Sequence, residues 1–359
     1  MTTLMQASNE WTKRPADQRF ASLQDLHAAV TRYKDQAGTA VVPYRDLHAK
    51  VINGNVCLNG RTATTAHLTH WSFGQLAARA GAPAGYLRDL RPDLAAECIN
   101  EGLAKISTAD EDREASILFA KNGDLTARAI TSSKYTRIWN SDVTKRLLSL
   151  EAGGTWQPAP AGFDGSRGLY ASDRDMFAFL VDNGRRIFEK GPGGGLSRGF
   201  FVWNSEVGAQ SFGVMTFLYE FICGNHRVWG AKGVSELRVR HVGNADERAF
   251  ESLAVELRKY ADSSATETEG QIESARTFIL GADKDAVLDA VFGLSIAGLS
   301  RKMIAEGYAK AEERVDWYGD PRSAWGLAGG ITEIARDLPH AEDRVTLDRA
   351  AGKIMAVAF

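Results

Sequence analysis

The chain has 359 residues, 44% hydrophobic and 25% charged, a composition that supports a sizeable buried core and excludes disorder over long stretches. A formal net charge of −2 excludes a uniformly basic nucleic-acid coat, and three scattered cysteines, Cys57, Cys98 and Cys223, exclude a disulfide scaffold, so a reducing, cytoplasmic setting is expected. No run of about 18 apolar residues occurs, and no apolar stretch follows Lys13, Arg14 and Arg19, so neither a membrane partner nor a secretion signal is expected.

In chain order, Leu23, Leu26, Ala29, Val30 and Tyr33 have the spacing of a short helix. Residues 41–47 and 51–58 read as short extended stretches interrupted by Gly54 and Gly60, so any sheet there is small or takes its partners from elsewhere. Ser72, Phe73, Leu76, Ala77 and Ala80 start a series of compact helices separated by Gly81, Pro83 and Pro92. The order helix, glycine turn, helix also fits a helix-turn-helix, with Arg88 and Arg91 as its basic candidates; ordinary helix packing accounts for the same residues.

Two β-forming runs flank Lys121, Asn122, Gly123 and Asp124, a hairpin signal. Ser141 or Asp142 is the expected cap of a helix carrying Val143, Leu147 and Leu148. Residues 169–171 and 176–181 read as extended on either side of a Ser-Asp-Arg-Asp turn, and the apolar run 212–222 as buried. After a polar, acidic break over 261–270, the remaining chain reads as helical, with candidates over 272–280, 285–292 and 302–313 and another docked by Trp325.

These elements predict an α+β fold: a mainly helical N-terminal subdomain over 21–110 with a small β element, then a body over 111–359. Within that body we expect a β-rich core, a central antiparallel or mixed sheet over 111–241, and a helical C-terminal cover over 245–359. Charge is uneven along it. Residues 121–241 hold 16 Lys or Arg against 11 Asp or Glu, whereas residues 245–289 hold 5 against 11.

Chemistry-bearing residues concentrate in the middle. Asn204, Ser205, Glu206, Val207 and Gly208 follow an aromatic run, and Cys223, Gly224 and Asn225 follow soon after. Glu206 has three readings: a partner for Arg198 or Arg227, an acceptor of backbone N–H groups, or a ligand. Asp173 and Asp175, offset by two, would share a strand face and with Glu206 could hold a divalent ion for a nuclease. Cys223 and His226 lack the further ligand pairs that a zinc site needs, and no nucleotide-binding motif occurs, so no metal or other cofactor is expected. Lys121, Arg128, Lys134, Arg137, Arg185, Arg186, Lys190 and Arg198 interleave with Tyr135 and Trp139, a pattern suited to single-stranded DNA through phosphate contacts and stacking.

The Asn-Ser-Glu-Val-Gly run at 204–208 and the Cys-Gly-Asn run at 223–225 resemble the DUF932 family of phage- and plasmid-like proteins of unknown function. The likeness extends through residues 172–175 and the region of Trp325, and departs from the family's pattern at Gly329 and Gly330. This resemblance implies a mobile-element setting and names no reaction. Non-catalytic binding of nucleic acid is therefore the expected function. The alternatives are the metal-dependent nuclease and a structural or interaction module that uses its acidic helical end on a phage, plasmid or host protein.

Overall fold

The computed structural model describes residues 16–60, 65–109, 113–158, 168–187, 196–220, 236–262, 265–337, 347 and 350–358. Lys190, Cys223, Gly224, Asn225 and His226 lie outside these residues.

The fold is α+β and holds two six-stranded sheets in place of one central sheet. The first is built from β1 (Ala37–Pro43), β2 (Leu47–Ile52), β3 (Asn55–Gly60), β4 (Thr65–Leu68), β5 (Glu114–Asn122) and β6 (Asp124–Ser132), in the order β1-β5-β6-β4-β3-β2. Its pairs are antiparallel except β4 with β6, which run parallel through His67↔Thr126 and Leu68↔Ala127. The Asn122-Gly123 hairpin forms as expected, with Gly123 at φ +83°. Asn53 and Gly54, at φ 50° and 75°, make a second tight turn joining β2 to β3.

One face of the first sheet is covered by α2 (His70–Arg79), α3 (Ala84–Asp89) and α4 (Pro92–Ala109). Leu76, Ala77, Leu87, Ala95, Ile99 and Leu103 bury there against Leu47, Leu58, Ala66, Ile117 and Ile130. Helix α2 starts with a reciprocal cap in which Thr69 and Ser72 satisfy each other's backbone N–H groups. In the helix-turn-helix reading Arg88 reaches a base; here the exposed side chain is folded back along the helix surface, lying 5.2 Å over the Phe73 ring and donating to the His70 carbonyl at 2.9 Å.

The second sheet has the order β12-β11-β10-β9-β7: β7 (Trp156–Pro158), β9 (Met176–Ile187), β10 (Leu196–Asn204), β11 (Phe212–Glu220) and β12 (Glu236–Val239), with β8 (Leu169–Ala171) also on β9. Helices α1 (Leu23–Asp35), α5 (Asn140–Ala152) and α6 (Ala245–Asp262) pack on it, burying Leu26, Val30, Val143, Leu147, Leu253 and Leu257 against Leu180, Phe200, Val202 and Phe212. Phe177, Phe179, Phe201 and Trp203, on the opposite side of the same strands, are also buried, so the sheet is apolar on both faces.

This topology redraws the expected boundaries. A division at 110/111 would cut the first sheet, because β5 and β6 pair with β1 and β4. Helix α1 belongs to the second sheet's core although it precedes every strand of the first. The C-terminal cover is also divided, since of its helices α6 contributes to the sheet core whereas α7 (Ala265–Thr277), α8 (Lys284–Gly293), α9 (Arg301–Glu313), α10 (Val315–Tyr318) and α11 (Ala324–Asp337) build a core of their own. All buried residues of that core fall between Ile272 and Met355. The polar break expected over 261–270 is largely helix α7.

Gly329 and Gly330 have packing roles. A Cβ at 330 would overlap the carbonyl oxygen of Gly307 on α9, and one at 329 would stand 2.7 Å from the Tyr318 ring. Among the described residues no helix is long and apolar enough to cross a membrane.

Candidate functional site

The two sheets meet at the loop that leaves β10, residues 204–209. Leu118 and Ala129 of the first sheet bury against Val207, with Trp71, Trp139, Ala37 and Ala209 packed around them. A loop at such a junction exposes its backbone to several elements at once, and each polar group needs a partner. Here side chains from both layers supply them. The Val207 carbonyl accepts from Trp71 Nε1 at 3.0 Å and Gln75 Nε2 at 2.8 Å. The Ser205 carbonyl accepts from the Tyr135 hydroxyl at 2.8 Å, and the Glu206 carbonyl accepts from Arg137. Ser205 Oγ donates to the Arg174 carbonyl and accepts from the Ala209 N–H at 3.0 Å. Gly208 closes the loop at φ +76°, a conformation that costs glycine least.

The Glu206 carboxylate, 2% exposed, accepts from the Asn140 N–H at the start of α5 at 2.9 Å and pairs with Arg128 Nη1 at 3.3 Å. Arg128 also donates to the Asp173 carbonyl at 3.0 Å. A carboxylate from the loop after β10 therefore caps α5, where Ser141 or Asp142 was expected; the N-cap Trp139 provides no side-chain bond. Negative charge at a helix N-terminus is favoured by its orphan N–H groups and dipole.

Outside this locked centre lies a ladder of rings and cations. Tyr135 stacks on His241 with centroids 4.9 Å apart. Arg137 lies 5.4 Å from the Tyr135 ring and 5.7 Å from the Trp139 ring, and Lys34 lies 5.5 Å from the same indole. The exposed Arg174 stands 4.7 Å over Trp71. Burial pushes the Tyr135 phenol above its ordinary range and lowers the Arg137 guanidinium.

Burial also lowers His241 to about 4, helped by the neighbouring Arg137 charge, while the Nδ1–H bond to the Thr136 carbonyl opposes this. As the pH falls from about 6.5 to 4, the unfolded chain binds this proton before the folded one does, so folding stability falls with it. Urea unfolding across this window is expected to show a flatter pH dependence in His241→Phe than in the parent. Equal slopes would remove His241 as a source of acid sensitivity.

The structure thus brings Arg128, Tyr135, Arg137, Trp139, Asn204, Ser205, Glu206, Val207 and Gly208 together. Not all of the basic residues lie on one path. Arg128 and Arg198 are buried, the latter 3.9 Å from Asp182, so neither reaches a phosphate. Arg185 and Arg186 are strand residues at the far end of β9; Arg186 lies ten residues, roughly 33 Å, from Met176, which pairs with Asn204. Lys121 and Lys134 are exposed near the two ends of β6.

The nuclease set is not assembled. Asp173 and Asp175 sit in the β8–β9 turn and not on a strand; Asp173 is exposed, Asp175 accepts from Ser172, and Glu206 is held by Arg128 and Asn140. Among the described residues no group of three or more His, Cys, Asp or Glu is placed to hold a metal ion.

The chain matches no family model, no curated protein and no solved structure.

The site also contains residues that local sequence patterns did not single out. Trp71 and Gln75, at i and i+4 on α2, share one edge of the helix with hydrogen-bonding side chains, and that spacing is the signal that could have found them. Lys34 gave none, since its ring partner is distant in the chain.

Proposed function

We propose that this chain binds single-stranded nucleic acid, DNA in the first instance, without cleaving it. The observation that supports this reading is the partly buried ladder around loop 204–209, in which the exposed Arg174 and the partly exposed Arg137 and Lys34 lie over Trp71, Tyr135 and Trp139. A guanidinium stacked on a ring keeps N–H donors at its edge for a phosphate, and partly exposed rings offer a sequence-tolerant surface to bases. The proposed path runs from Arg174 across Arg137 to Lys34, with Lys134 beside it. The mobile-element setting, and partners from a phage, plasmid or host, are part of the same proposal and rest on the resemblance carried by residues 204–208.

The test is titration of labelled single-stranded DNA, duplex DNA and RNA over a salt series, with magnesium added in parallel and product length followed. Arg174→Glu with Lys134→Glu, both at exposed positions, is expected to weaken single-strand binding at least tenfold at low salt. Every phosphate that is no longer neutralised should lower the slope of log affinity against log salt by about 0.7. Unchanged affinity in the folded double variant would rule out this face, and shortened strands in magnesium would rule out a non-catalytic role.

A further inference from the structure

We infer that β1 is a self-association edge, on which a second copy of this chain adds its own β1 antiparallel across a two-fold axis. A strand at the rim of a sheet leaves a row of N–H and C=O groups unpaired, and proteins guard such rims with charge, proline, a bulge or brevity. Three of the four rims described are guarded: β2 carries the exposed His48 and Lys50, β12 carries Glu236 and Arg238, and β7 and β8 are three residues each. The fourth, β1, is Ala-Gly-Thr-Ala-Val-Val-Pro, seven residues without a charge, in unbroken register with β5 and guarded only by Pro43 at its last position. Val41 is 56% exposed on it.

The hydrogen-bond phase of β1 decides which groups are free. Lys121 N–H donates to the Gln36 carbonyl and Tyr44 N–H to the Arg113 carbonyl, so the even-numbered residues face β5. In an antiparallel ladder each residue directs both its backbone groups to one side, alternating along the strand. Ala37, Thr39, Val41 and Pro43 therefore direct theirs outward.

A two-fold axis beside Ala40 sets Thr39 opposite Val41 of the copy, and both are outward-facing. Two reciprocal hydrogen-bonded pairs follow, and each Ala37 N–H meets the carbonyl of the copy's Pro43, whose missing N–H is not needed at that place. Charge agrees with this register. A charged strand would meet like charges in its copy, whereas β1 is neutral, and its flanking exposed residues Asp35 and Arg45 are opposite in sign and equidistant from Ala40. Pairing would join the two first sheets into one continuous sheet and cover Val41.

Sedimentation equilibrium of the full chain tests this inference. The parent is expected at about twice 39.1 kDa, and Val41→Lys at the mass of one chain with unchanged circular dichroism. The double variant Thr39→Glu/Val41→Lys places a carboxylate opposite an ammonium in the proposed register and is expected to restore the dimer. A parent that stays monomeric as its concentration is raised, a dimer unaffected by Val41→Lys, or a double variant that fails to recover would each overturn the proposal.

Discussion

Glu206→Ala is expected to lower the unfolding free energy of the sheet-bearing body by about 3–5 kcal/mol, among the largest effects of any single substitution in this chain. Removing the carboxylate takes from the buried Arg128 its ion-pair partner among the described residues and from the first N–H of α5 the acceptor described for it. A buried guanidinium without its partner is costly because the water it gave up on folding is not replaced. Glu206→Gln keeps an acceptor for the Asn140 N–H and loses the ion pair, so its cost should be smaller, about 1.5–3 kcal/mol. Glu206→Ala combined with Arg128→Met removes both charges and should recover part of the loss, since a buried pair exchanged for apolar groups is often near neutral. Urea titration followed by tryptophan fluorescence measures all three variants. A Glu206→Ala midpoint close to that of the parent would mean that the loop is held by its backbone bonds alone.

Residues that make this keystone were visible in the sequence, but its connections were not. The Asn-Ser-Glu-Val-Gly run stood out, and Arg198 and Arg227 were the natural partners for Glu206 because they are near it in the chain. Its actual partner, Arg128, is 78 residues upstream, and the N–H it caps is 66 residues away. Such contacts follow from how the two sheets meet, which no local pattern encodes. The same limit explains the parallel pairing of β4 with β6 and the placement of α1 in the second sheet's core.

Local signals fared according to how completely they were bounded. Asn122-Gly123 lay between two clear β-forming runs and marked its hairpin, while Asn53-Gly54 carried the same turn chemistry between short, mixed stretches and read only as an interruption. The helices 284–293, 301–313 and 324–337 were legible because one face of each is apolar at helical spacing. Only the first half of helix 265–277 was hidden, by its threonines and glutamates; the second half falls within the helix expected over 272–280, and Ile272 and Ala275 are its buried anchors. Basic residues near aromatic ones in sequence divided in space: Arg137 joined the ladder, whereas Arg198 went into a buried pair.

Gly330→Ala should destabilise the C-terminal helical unit by about 3 kcal/mol while leaving the sheet-bearing body unchanged. Helix propensity alone predicts the opposite sign, because alanine in a helix interior is favoured over glycine by up to about 1 kcal/mol. Packing outweighs it: a Cβ at 330 overlaps the Gly307 carbonyl and stands 2.8 Å from the Ala311 nitrogen, backbone atoms that no rotamer change can move aside. Helices α9 and α11 would have to separate, loosening Ile304 and Tyr308 from Leu327, Ala328 and Ile331. Because the described apolar core of this unit draws only on residues from Ile272 onward, differential scanning calorimetry should resolve two transitions, with only one moved by the substitution. A stabilised variant would mean that the helices cross less closely, and an equal shift of both transitions would mean that the two cores unfold as one.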